Sequence, residues 1–333
     1  MKKQEDCRML TIGRRAALSG AAAFLCLAAL PSFGQGYPDK PVRLIVPFPP
    51  AGSVDTVARI VAQKLSEQWG QPVIVDNRAG ASGMIGADAA AKAAPDGYTF
   101  LICSIHHTVL PSLKSKIPYN LQKDFVPLSF AARFPLVLVT HPSLPVHSVK
   151  ELIALAARSP GKLTFASAGS GGGTHLAGEL FNQQAGVKLT HIPYKGSGPA
   201  VGDLLGGQVN MMFSDAPAVM QHIKGGKLRA LGVANSKRSE ILPNVPTIAE
   251  GGLPGYEAYS WAGFLAPAGT PKEIAAKLSA DIAKVLAQPA VKQRLLEAGA
   301  ETQPLIGEQF GQMIAAETTK WAKVVKDANI QLD

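Results

Sequence analysis

The chain has 333 residues, of which 47% are hydrophobic, and 33 Lys and Arg against 24 Asp and Glu give a formal charge of +9. The positive excess is spread thinly and shows no run of basic residues interleaved with aromatics, which argues against a nucleic-acid surface and leaves a mild attraction for small anions. Of the three cysteines, Cys7 and Cys26 lie in the N-terminal segment and only Cys103 lies in the body of the chain, so no internal disulfide is expected and the core must hold the fold.

The first residues, MKKQEDCRMLTIGRRAALSGAAAFLCLAALPSFGQG, run from basic through apolar to small. That is the order of an export signal, and its apolar stretch is shorter than the ~20 residues of a membrane span. Residues 1–34 are therefore read as a cleaved signal, with Ser32-Phe33-Gly34 as the cleavage site. The pair Arg14-Arg15 also fits a twin-arginine signal, and both export routes stay open. Cleavage leaves 299 residues, enough for two lobes. It removes five basic and two acidic residues, so the mature charge is +6.

Beyond the signal, apolar strands alternate with amphipathic helices. VRLIVPF reads as a buried strand, and SVDTVARIVAQKLSEQWG as a helix with Val54, Val57, Ala58, Val61, Leu65 and Trp69 on one face and Gly70 at its end. PVIVDNR, a small-residue helix SGMIGADAAAKAA, and GYTFLICS follow. Strand–helix–strand repetition with short links predicts an α/β fold of parallel strands wound on both faces by helices. Ligands of such sheets sit beyond the carboxyl ends of the strands.

A second unit starts near His141. Its first helix is begun by Ser148 with Glu151 at the capping-box position, and LTFASAG, THLAGELFNQQAG, LTHIPY, GPAVGDLLGGQ, VNMMFSD, PAVMQHIKGGK and LRALGVAN continue the alternation. Two apolar strands, PLVLVTHP (135–142) and WAGFLAPAG (261–269), bracket this unit and are read as hinge strands. The expected division is residues 37–138 with 263–333 as one lobe and 139–262 as the other, the last three helices returning to the first lobe.

Three strand-to-helix connections, PFPPAGSVD, NRAGASGMIG and ASAGSGGGTH, share glycine and small hydroxyl residues. The free N–H groups of a first helical turn and the positive end of its dipole favour a carboxylate or phosphate. Each charge-assisted N–H contact contributes roughly 1.5–3 kcal/mol. Three or four of them, less ordering costs, reach a Kd of about 1 μM, which needs ~8 kcal/mol.

None of the connections is a nucleotide fingerprint, and no nucleophile elbow is present, so no catalytic residue and no cofactor is expected. His175 and Glu179 stand four apart on a helix like half a metal site, but no second ligand cluster exists and no metal is expected; His175 is read as a cap or a ligand contact. His106 and His107, at the end of the third strand, either face the cleft or lie in a solvated loop. Cys103 is read as a buried strand residue. Asp55 either stabilises its own helix or meets an amino or hydroxyl group of the ligand, and Asp215 poses the same alternative from the second unit.

The ordered motifs YPDKPVRLIVPFPPAGSVDTVARI, VIVDNRAGASGMIGADAAAKAAPDGYTFL, TFASAGSGGGTHLAGELF, HIPYKGSGPAVGDLLGGQVNMMFSD, GKLRALGVA, LPNVPTIAEGGLPGYE and APAGTPKEI resemble those of the Bug-type receptors of tripartite tricarboxylate transporters. The resemblance covers the chain from Tyr37 to the last helix. It implies a two-lobed periplasmic binding protein of type II, each lobe a mostly parallel sheet covered on both faces and the two joined by hinge strands, closing on a small carboxylate held by backbone groups and bridging waters.

By position the resemblance assigns to the site Pro47, Phe48, Pro49, Gly52, Ser53, Val54 and Asp55; then Gly80, Ser82 and Gly83; then Ser104 and His106. From the second lobe it assigns Ser167, Gly169, Ser170, Gly171, Gly173, Thr174 and His175, with Lys195, Gly196 and Asp215. It further implies a monomer in the periplasm whose partners are the membrane subunits of the transporter. A receptor feeding a membrane sensor and an exported enzyme acting on a carboxylate are the alternatives. One departure stands out: the family loop reads Pro-Pro-Gly-Gly, and here Ala51 replaces the first glycine. A positive φ there would make alanine costly; the expectation is instead an ordinary φ and a slightly narrower pocket.

Overall fold

The computed structural model describes residues 36–303 and 305–330, so the expected signal at 1–34 lies outside the described residues. Residues 36–39 are bends belonging to a separate N-terminal unit, Met1–Asp39, and the compact unit begins at Lys40. That unit opens with β1 (Val42–Val46), α1 (Ser53–Trp69), β2 (Val73–Asn77), a 3-10 turn (Ala81–Gly83), α2 (Met84–Ala91) and β3 (Thr99–Ser104). Then come α3 (Ile105–Leu113) and β4 (Phe125–Thr140). The next stretch comprises α4 (Val149–Arg158), β5 (Thr164–Ser167), α5 (Gly173–Ala185), β6 (Thr190–Pro193), α6 (Ser197–Leu205), β7 (Met211–Asp215), α7 (Ala216–Lys224) and β8 (Arg229–Val233). The chain closes with β9 (Tyr259–Pro267), α8 (Lys272–Ala287), α9 (Pro289–Glu297) and α10 (Glu308–Asp327).

The strands follow the order β2-β1-β3-β9-β4-β7-β5-β6, with β8 on the other edge of β4. β1 pairs in parallel with β2 and β3, and β5 with β6 and β7. β4 and β9 run against their neighbours. The parallel pairs are thus the outer parts of two sheets, and the strands between them are antiparallel.

β4 joins the two sheets. Phe125 to Pro135 pairs with β9, whereas Leu136 to Thr140 lies between β7 and β8. The hinge strand read from 135–142 is therefore only the second half of a strand that begins ten residues earlier, at Phe125. The prolines at 127 and 135 and the register shifts at Pro127/Ser129 and Phe130/Ala132 hide the first half from any pattern of alternation. β9, the other expected hinge strand, pairs along its length with β3 and β4, and the chain reaches it from β8 through residues 234–258. The segment after β3 is also not a loop: Ile105 to Leu113 is helical in spite of Pro111.

Local chemistry explains the helix starts. Ser148 Oγ accepts from the Glu151 amide at 3.2 Å, and Glu151 returns a bond to the His147 amide at 2.7 Å, a capping box shifted by one residue. Trp69 Nε1 and Gln68 Nε2 both donate to Asp281 at 2.7 Å, fastening α8 to α1. Phe310 of α10 meets Phe130 and Trp261 edge-on, with centroids at 6.0 and 5.8 Å, so the last helix seals the junction of β4 and β9.

The loop between β1 and α1 is held by one buried carboxylate. Asp55, 1% exposed, accepts from the Ala51 amide (2.9 Å), Arg59 Nε (2.8 Å) and Asn77 Nδ2 (2.8 Å). Ala51 has φ of +66°, so the expectation of an ordinary backbone there is overturned: this is the left-handed region, where a Cβ costs about 1–2 kcal/mol. The bond to Asp55 keeps Ala51 in that conformation. Burial works to raise the Asp55 carboxyl, but the bonds from Arg59, Asn77 and Ala51 outweigh it and hold the carboxyl below its ordinary value.

Two outcomes are expected. Ala51→Gly relieves the strain at some entropic cost and should stabilise the protein by about 1 kcal/mol; a chemical-denaturation midpoint that falls instead would refute the strain. Asp55→Asn should destabilise by about 2 kcal/mol at pH 7. Because the folded carboxyl lies below its unfolded value, its contribution is complete above about pH 5 and is lost as pH falls through the lowered value. The wild-type advantage over the variant, followed by denaturation from pH 7 to pH 3, should therefore shrink only in the acid range.

Candidate functional site

The carboxyl ends of β1, β3, β5 and β7 face one cavity of about 350 Å³. From the first sheet it is lined by Phe48, Ser53, Val54, Ser82, Ser104, Ile105 and His106. The second sheet supplies Ala168, Gly169, Ser170, Gly172, Gly173, Thr174 and Asp215. Phe134, Ser260 and Trp261 complete it at the point where β4 changes partners, Phe134 lying opposite Ser260 in the register. A larger depression of about 700 Å³ runs along α10, beside Ala322, Val325 and Ile330, but no helix start opens onto it.

Four helices begin at the smaller cavity. Ser53 and Val54 are the first residues of α1, Ile105 and His106 of α3, and Gly173 and Thr174 of α5, while Asp215 immediately precedes α7. The residues before α1 and α5 are Gly52 and Gly172, which supply no side-chain cap, so first-turn N–H groups are left for a guest. Among the described residues no Lys or Arg lines the cavity. Its polar side chains are hydroxyls, His106, the Trp261 indole and Asp215. Burial pushes His106 down to about 4, which keeps it neutral at pH 7, and its Nδ1 lies 3.2 Å from Ser104 Oγ. Trp261 is fully buried, and its Nε1 has no partner among the described residues.

Of the residues assigned from sequence, Phe48, Ser53, Val54, Ser82, Ser104, His106, Gly169, Ser170, Gly173, Thr174 and Asp215 are brought together around this cavity. The others lie outside the lining. Pro47 is buried against α2, where Gly86 leaves room: a Cβ at 86 would come within 2.7 Å of Pro47 Cα. Pro49 is exposed, and Gly52 and Asp55 belong to the start of α1. Gly80 and Gly83 close the turn before α2 by an amide-to-carbonyl bond of 3.0 Å. Gly83 backs the ring of His107, which is buried below Phe48 and not solvated.

In the second sheet, His175 Nδ1 accepts from the Gly171 amide at 3.0 Å, and its ring stacks on His191 at 3.6 Å. Of the two roles read for it, this is the cap. Among the described residues no group of three or more His, Cys, Asp or Glu is placed to hold a metal. His191 Nε2 lies 2.6 Å from Ser167 Oγ. Thr174 Oγ1 accepts from the Ala168 amide, and the Gly196 amide donates to Ala168 O, so the glycine loop is tied at both ends. Lys195 is exposed and outside the cavity lining. Cys103 is fully buried, and burial raises its thiol well above the ordinary value.

Ile105, Ala168 and Gly172 fall within the segments 104–107 and 167–175 that the resemblance assigns to the site, whereas Phe134, Ser260 and Trp261 were not named from the sequence. For Trp261 a signal existed, because an indole N–H inside an apolar strand needs a partner. For Phe134 and Ser260 there was none, since their place depends on the partner switch in β4. The approach of the two sheets is close here: a Cβ at Gly173 would lie 2.4 Å from Ser260 Oγ.

The family profile described as tripartite tricarboxylate transporter family receptor, TctC, matches residues 57–330. Protein BugT of Bordetella pertussis is 44% identical over 306 residues, 91% of this chain and 94% of its own. Among solved structures, R. palustris Rpa4515 with adipate superposes with a TM-score of 0.77 at 38% identity, covering 89% of this chain and 100% of that one. MatC from Rhodopseudomonas palustris with bound malate gives 0.72 at 33% identity, with 87% and 100% coverage. The fold is the two-lobed α/β fold of these binding proteins, and the chain belongs to the tripartite tricarboxylate transporter receptor family.

Proposed function

We propose that this chain is a periplasmic solute receptor that takes a small carboxylate into the cavity between its two sheets and delivers it to the membrane subunits of a tripartite tricarboxylate transporter. The observation that carries the reading is the meeting of helix N-termini from both sheets at one cavity without a cation. N–H groups and dipoles fixed in place stabilise a carboxylate without the desolvation cost of a buried arginine. Family membership supports the transport role, and the adipate and malate carried by Rpa4515 and MatC support the ligand class. No helix among the described residues is long and apolar enough to cross a membrane, and the expected signal at 1–34 would export the chain.

In this reading the guest touches both sheets, and its differential affinity for the closed arrangement drives closure about β4. The site acts by binding and orienting alone: its hydroxyls and amides donate, and neutral His106 beside Ser104 completes the wall.

Thermal shift and calorimetry with mono-, di- and tricarboxylates test the proposal. At about 100 times Kd a ligand stabilises by ~2.7 kcal/mol, which should raise Tm by about 5 °C or more. No shift from any acid at millimolar concentration would sink it. Gly172 has an ordinary φ of −81°, and a Cβ there would meet Gly169 O at 3.5 Å and His106 Nε2 at 3.7 Å. Gly172→Val should therefore fold normally by circular dichroism and lose the ligand-induced shift at least tenfold in midpoint concentration.

A further inference from the structure

Asp215 is out of place in a cradle for an anion. It is the one carboxylate among the residues that line the cavity, and no Lys or Arg lines the cavity to balance it. It is also not occupied with local structure. Although it stands before α7, its side chain makes no cap bond, and the second residue of that helix is Pro217, which has no N–H to offer. No described residue donates a hydrogen bond to its carboxylate. Asp55, at the matching end of the first sheet, is the contrast: three donors satisfy it and it stays out of the cavity.

A half-buried carboxylate without a hydrogen-bond partner is costly unless something in the recess meets it. Burial alone raises Asp215 to about 6, so at neutral pH it is mostly ionised and accepts hydrogen bonds only. A guest with nothing but carboxylates would set like charges side by side. A cavity of about 350 Å³ takes a guest of roughly ten non-hydrogen atoms, so the donor must lie within a few bonds of the carboxylate that the helix N-termini hold.

We infer that the guest carries, besides that carboxylate, an ammonium or hydroxyl group that donates to Asp215, so that the receptor selects amino or hydroxy carboxylic acids over unsubstituted acids of the same skeleton. This rests on the carboxylate-receptor reading above and narrows its ligand class. Asp215 acts as the specificity determinant, while the helix starts supply the affinity common to all carboxylates.

The test is calorimetry at pH 8, where Asp215 is ionised, with three matched sets: propionate, lactate and alanine; succinate, malate and aspartate; glutarate, 2-hydroxyglutarate and glutamate. In at least one set a substituted acid should bind at least tenfold more tightly than its unsubstituted parent. Asp215→Asn should reduce that preference to less than threefold. Tighter binding of the amino acid assigns the donor to an ammonium, and of the hydroxy acid to a hydroxyl. Equal binding of parent and substituted acids by the wild type overturns the inference, and so does a preference that survives in Asp215→Asn. If that variant does not fold, the wild-type ratios alone decide. Silence from all nine acids while other unsubstituted acids bind also overturns it and leaves the receptor reading intact; silence from every carboxylate removes both.

Discussion

One strand serving two sheets is the constraint on which the rest depends. Because β4 pairs with β9 up to Pro135 and with β7 and β8 from Leu136, the sheets cannot be moved apart without bending or breaking a continuous backbone. The carboxyl ends of their parallel strands are thereby directed at the same cavity. A cluster of helix starts follows, since each parallel strand is followed by a helix that begins where the strand stops. Aromatic packing reinforces the junction: Phe310 meets Phe130 and Trp261 edge-on, and those two rings are tilted against each other.

Holding an anion on amide groups asks for rigid loops, because a loop that must be ordered by the ligand spends binding energy on its own entropy. Buried polar side chains supply that rigidity from behind. In the first sheet Asp55 fixes Ala51 and Asn77. In the second, the stacked pair His175 and His191 fixes Gly171 and Ser167. These groups lie outside the cavity lining and anchor the loops that border it. The positive φ at Ala51 is a local cost that this arrangement carries.

The electrostatics of the cavity have two parts. Helix dipoles on both sides create a positive potential without a mobile charge, and a half-buried, neutral His106 leaves that potential unaltered at pH 7. Asp215 opposes it at one place. The result is a polarised recess, positive around the helix starts and negative at the end of β7.

The alternation of strands and helices, the start of α4 at Ser148 and the glycine-rich connections that lead into helices were legible in the sequence, because each follows from interactions within about ten residues. The first half of β4 and all of α3 were not, since prolines at 111, 127 and 135 interrupt the local pattern and only long-range pairing overrides them. The site divided in the same way. Ser53, Gly173 and Thr174 could be placed from their positions at helix starts, whereas Ser104 precedes a helix that the sequence did not show. The roles of Asp55 and His175, both turned away from the cavity to hold loops, depended on partners 22 and 16 residues away, Asn77 and His191. By itself the sequence determined the elements, their order and the kind of loop that joins them, because propensity and capping are local. Only the tertiary structure decided which loop tips meet, that Trp261 and Ser260 stand among them, and that Asp215 faces the recess while Asp55 does not, because those outcomes are set by strand pairing across the whole chain.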